Sequence, residues 1–114
     1  MVANTPSALW PEIPEHLRGG LARWLVHGLL PGSFLSAAIA GDLFGAAARA
    51  DDVSLAGLGY LARFIDIFGP PDAKGAVSKK IWGTLPQPNR DAELRLSFEN
   101  YPEFIEFLTK EAAL

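Results

Sequence analysis

Glycine and proline cut this chain at regular intervals, and the cuts limit it to short helices. Gly28 is followed closely by Pro31-Gly32, and Gly69 runs straight into Pro70-Pro71. Gly28 suits a left-handed helix stop, and the two prolines after Gly69 cannot continue a helix. Between the cuts the apolar residues recur with helical spacing. Leu17, Leu21, Trp24 and Leu25 define one face of a first helix that opens at Pro14-Glu15. Gly19 and Gly20 each weaken that helix by roughly 1 kcal/mol relative to alanine, which suits a close backbone approach. Leu55, Leu58, Leu61, Ala62, Ile65 and Phe68 predict the stripe of a later helix, begun by Asp51-Asp52. Residues 14 to 69 therefore predict three or four tightly joined helices.

The stretch PGSFL at residues 31 to 35 raises a chemical question, because Ser33 lies between glycine and phenylalanine. A nucleophile elbow reads G-x-S-x-G after a strand, and neither condition holds here. Pro31 at the first helical turn, or Ser33 as N-cap, begins a helix instead. Ala37, Gly41 and Gly45 follow at spacings of four and predict a small-residue groove suited to a close neighbour or a homodimer. Leu35, Ile39, Leu43 and Phe44 are the expected bulky contacts, and Gly41-Asp42 is a point where the stretch can split in two.

On either side of this core the pattern changes. Residues 1 to 13 read as a loose arm, with Trp10 and Ile13 able to tuck onto the first helix. Residues 70 to 90 carry Gly75, Gly83, Pro86 and Pro88 and read as a loop-rich connector. Leu94, Leu96 and Phe98 alternate with Glu93, Arg95 and Ser97, the period of a half-buried strand. Its predicted partner is Lys80 to Thr84, which makes a small antiparallel β-hairpin that must lie against helices. Asn100 predicts the N-cap of a terminal helix with Pro102 in its first turn, supported by a Glu106–Lys110 pair. The expectation is one mainly α (α+β) domain over residues 1–114: a loose arm, a helical bundle at 14–69, and a loop, hairpin and terminal helix at 70–114.

Residues 16 to 52, HLRGGLARWLVHGLLPGSFLSAAIAGDLFGAAARADD, resemble a group of short uncharacterised proteins encoded by bacteriophages and prophages of Gram-negative bacteria. The shared order is a leucine and arginine helix, a glycine, PGSFL, and a helix ending in arginine-alanine-aspartate. Gly41 stands where that group carries a polar residue, and the part beyond Gly69 does not look like its short tail. The resemblance implies an origin in mobile genetic elements and carries no activity with it.

Composition narrows the chemistry. There is no cysteine, so disulfides, thiolate metal sites and thiol nucleophiles are excluded. The net charge of −3 opposes generic binding to nucleic acid or anionic membrane. No basic segment followed by an apolar run opens the chain, and no stretch of about 20 nearly uninterrupted apolar residues occurs. The expected location is the cytoplasm. His16 and His27 lie eleven apart rather than the four that a shared metal on one helix needs. Asp51-Asp52 is a helix start, and no glycine spacing matches a phosphate loop. No catalytic, cofactor or metal residue is assigned.

Two clusters remain. Trp82, Glu93, Glu99, Glu103 and Glu106 are the expected partner-binding residues, an aromatic anchor beside an acidic face. Lys74, Lys79, Lys80 and Arg90 form the alternative, a nucleic-acid-binding patch. The leading expectation is a non-enzymatic phage or prophage accessory protein that binds a host protein. Its sharper form is an anti-CRISPR-like inhibitor whose partner is a CRISPR-Cas component. The second class is a nucleic-acid-binding accessory or regulatory protein.

Overall fold

The computed structural model describes residues 2–113, and among these every regular element is helical. Thr5 caps α1 (Pro6–Leu9), which passes into a 3-10 turn at Trp10–Glu12. The central helix α2 (Glu15–His27) ends at Gly28, whose φ of 69° lies in the left-handed region. A short connection leads to α3 (Ser33–Ile39) and α4 (Leu43–Arg49), which pack chiefly on each other. The long helix α5 (Asp52–Phe68) is capped by Asp51, whose carboxylate accepts from the Ser54 N–H at 2.7 Å. After Pro70 come a 3-10 turn at Pro71–Ala73, α6 (Ser78–Ile81) and a second 3-10 turn at Trp82–Thr84. The helices α7 (Gln87–Ser97) and α8 (Pro102–Glu111) complete the chain. Both pack on α2.

The mainly α architecture stands, but the β-hairpin does not. Lys80–Thr84 is α6 and a 3-10 turn, and the alternating segment lies in α7. Within that alternation Leu94 is 2% exposed and Leu96 is 71% exposed, so the two leucines do not share a face. The operative period is four: Arg90, Leu94 and Phe98 are all buried. Leu96 is an exposed apolar residue that imitates a strand pattern. The terminal helix exists as expected, but its N-cap is Tyr101 and not Asn100.

Other expectations move as well. Residues 6 to 12 are helical, and Leu9, Trp10 and Ile13 are core residues, so this segment is not a loose arm. On α5 the buried stripe runs through Gly57, Leu61, Phe64, Ile65 and Phe68, while Leu55 and Ala62 face outward. Gly57 sits against the Pro14 ring, where a Cβ has no room. The groove from Ala37 through Gly41 to Gly45 does not form on one helix. Gly41 has φ of 79° and turns the chain between α3 and α4.

Two indoles tie the connector to α2. Trp24 Nε1 donates to the Ala73 carbonyl at 3.0 Å, and Trp82 Nε1 donates to the Trp24 carbonyl at 2.7 Å. At the other end of the core an aromatic cluster joins the two chain ends. Trp10 meets Phe64 edge-on at 5.3 Å and Phe104 at 5.9 Å, while Phe68 stacks on Phe98 at 5.5 Å. The Trp10 indole N–H also donates to Glu111 Oε1 at 3.3 Å.

Candidate functional site

The sequence-predicted clusters disperse in the fold. Trp82 is fully buried, so it is a core residue and not an aromatic anchor at the surface. The four glutamates share no single face. Burial raises the carboxyl of Glu93 on α7 above the usual range, and neighbouring Asp72 adds to the rise. Glu99 follows α7 in an exposed turn. Glu103 borders a hollow with Trp10 and Phe107, whereas Glu106 borders a different cleft with His27 and Arg95.

The basic cluster is also divided. Arg90 is buried, and its guanidinium donates to the carbonyls of Trp82 and Leu85 and to Gln87 Oε1. It serves the interior, with Nε left unpartnered. Lys74 donates to the Asp66 carbonyl at 2.7 Å, near the end of α5. Lys79 and Lys80 remain as exposed cations on α6.

What the fold presents instead is α4 and the cleft beside it. Asp42 caps α4 by accepting from the Gly45 N–H at 2.9 Å, and the helix rests on α3 through Ala46. Ala46 is its one buried residue. Phe44 is 87% exposed and Leu43 63% exposed, although helical spacing had made both look like core. Leu29 and Leu30, in the connection after α2, are exposed apolar residues too.

Two adjoining hollows flank this region, of about 540 Å³ and about 430 Å³. Both are lined by Leu30, Pro31, Ser33 and Arg49. The first also takes in His16, Arg23, Asp51 and Ser54, and the second takes in Asp42 and Lys79. In the first hollow His16 Nε2 lies 3.1 Å from Ser54 Oγ and 3.6 Å from Asp51 Oδ2. A catalytic triad divides serine and carboxylate between the two ring nitrogens. Here one nitrogen faces both groups, and Asp51 is engaged in capping α5. The Ser54 N–H bond holds the Asp51 carboxyl below the usual range, with lesser help from the Ser54 hydroxyl and His16.

Ser33, the residue in PGSFL, is the first residue of α3, which follows an N-cap at Gly32. Its hydroxyl is exposed on the cleft. No group of three or more potential metal ligands gathers among the described residues, and no described helix is long and apolar enough to cross a membrane. Comparison with protein-family models, curated proteins and solved structures finds no match to this chain.

Proposed function

We propose that the chain is a non-enzymatic accessory protein that acts in the cytoplasm by binding another protein through α4. The supporting observation is the placement of Phe44 and Leu43 in water on a helix attached to the body through α3. An exposed aromatic beside a leucine gains free energy when covered, at roughly 25 cal/mol per Å² of apolar surface. Aromatic residues also carry a disproportionate share of interface energy. The partner in this reading is a host protein. The narrower form, an inhibitor of a host defence system, draws on the phage-like segment at residues 16 to 52, which contains all of α4.

The test is capture from the host lysate with tagged wild-type protein and with Phe44→Glu, each with and without nuclease. A stoichiometric protein held by the wild type through nuclease treatment, and lost from the variant, is the expected result. Recovery that vanishes with nuclease, or is unchanged by Phe44→Glu, overturns the reading. Sedimentation of the purified protein adds a check. A dimer that becomes monomeric on Phe44→Glu assigns the face to a second copy instead.

A further inference from the structure

We infer that the paired hollows beside α4 are a binding site for a small anion with an apolar body, its phosphate or carboxylate head held by Arg23 and Arg49. The inference starts from which charges are already engaged. Arg18, Lys74 and Arg90 donate to backbone carbonyls, and Lys110 lies 4.0 Å from Glu106. Arg23, Arg49 and Lys79 have neither a carboxylate within 4.0 Å nor a hydrogen-bond partner among the described residues, and all three line these hollows. The acidic side chains here, Asp42 and Asp51, are both helix N-caps. Uncommitted cations therefore face the cleft while its anions are turned to the backbone, in a chain whose net charge is −3.

The two arginines are seated in the same way. Helical side chains lean back over the preceding turn, so a residue at i covers i−4. Arg23 leans over Gly19 and Arg49 over Gly45. A Cβ built on Gly19 meets Arg23 Nη1 at 3.0 Å, and one built on Gly45 meets Arg49 Nη1 at 2.6 Å. At Gly19 the missing side chain leaves space that the guanidinium occupies, and at Gly45 the Arg49 guanidinium shares that space with the Asp42 carboxylate, which comes nearer still. A guanidinium stays charged and matches two oxygens of a phosphate or carboxylate at once. The Ser33 hydroxyl adds a donor, and Leu30 and Pro31 add apolar wall to both hollows. The volumes suit a small molecule. An extended polyanion is disfavoured by the acidic residues that border the cleft.

The probes are phenyl phosphate, benzoate, inorganic phosphate and neutral phenol, each titrated into the full chain and followed by amide chemical shifts. Saturable shifts at Gly20, Gly32 and Ser33 are expected with phenyl phosphate or benzoate. Binding should weaken with inorganic phosphate and disappear with phenol. Arg49→Ala should weaken phenyl phosphate at least ten-fold, and Arg49→Lys by less. Arg63→Ala is the control, because Arg63 lies over the Tyr60 ring and lines neither hollow. Lack of saturation up to ~10 mM, a weakness beyond any specific site of this size, overturns the inference. So does equal binding of phenol, or an equal loss in Arg63→Ala.

Discussion

Trp82 and Phe44 are both large aromatic residues in short helical segments, and their surroundings make opposite demands on them. The Trp82 ring is enclosed, and its N–H occupies the Trp24 carbonyl. Trp82→Ala leaves a cavity near the end of α2 and removes one of two bonds to the Trp24 carbonyl, which keeps the Gly28 N–H at 2.9 Å. The expected cost is about 3–5 kcal/mol, read from urea unfolding. Phe44→Ala removes a ring from water and should change the same measurement by no more than about 0.5 kcal/mol. A comparable loss from both would mean that α4 is covered. Two carboxylates make a second contrast. Asp51 is stabilised as the anion by the Ser54 N–H, so its contribution is present above the unfolded pKa and lost as pH falls through its depressed value. Burial and Asp72 raise the pKa of Glu93, so its contribution is present at low pH and lost as pH rises through that raised value. Thermal melts across the acid range should show Asp51→Asn flattening the low-pH fall, since asparagine also caps helices. Glu93→Gln should remove the opposing slope.

Among the elements, helix ends were more legible in the sequence than helix faces. Gly28, Asp42 and Asp51 act locally, and each is found in the role that its residue type suggested. The face a residue turns inward depends on distant partners, which spacing alone does not contain. Leu94, Leu96 and Phe98 satisfy a strand period only because Leu96 happens to be apolar. Arg90 completes the true four-residue period but looks like a surface cation in the sequence. The candidate cleft was hidden for the same reason: Arg23 and Arg49 carry no motif, and the glycines four residues before them were the signal available. Leu94→Glu should prevent folding, as seen by loss of dispersed amide resonances, because it buries an unpaired charge. Leu96→Glu should fold and shift stability by no more than about 0.5 kcal/mol. A paired strand with both leucines inside predicts equal damage. Gly28→Ala belongs at this scale too. Its φ of 69° is strained for alanine, and its Cβ falls 2.9 Å from Arg90 Nη1, so a loss of more than about 1 kcal/mol is expected in urea unfolding.

For the whole molecule, the first thirteen residues are the sharpest point of divergence between sequence and fold. Their prolines and short apolar pieces suggest a detachable arm. In the fold, Leu9 and Ile13 have no exposed surface, and Trp10 stands between α5 and α8. The Trp10–Glu111 bond brings the beginning of the described chain to its end, although the two residues are 101 positions apart. Deleting residues 1 to 13 therefore removes the buried Pro6, Leu9, Trp10 and Ile13 at once and opens the aromatic cluster around Phe64 and Phe104. Each such truncation costs about 2–5 kcal/mol, and a domain of this kind has a total stability of about 5–15 kcal/mol. The shortened chain should lose its cooperative thermal transition in circular dichroism while keeping some helical signal. Trp10→Phe is the milder companion: it preserves most of the ring packing but removes the N–H to Glu111, and a fall of a few degrees in Tm is expected. If the truncated chain melts sharply at the wild-type temperature, the helices from Glu15 onward form the stable unit and Trp10 merely covers it. If its transition disappears, the two ends of the chain are one half of the core, and the cleft beside α4 depends on a fold that closes only when both are present.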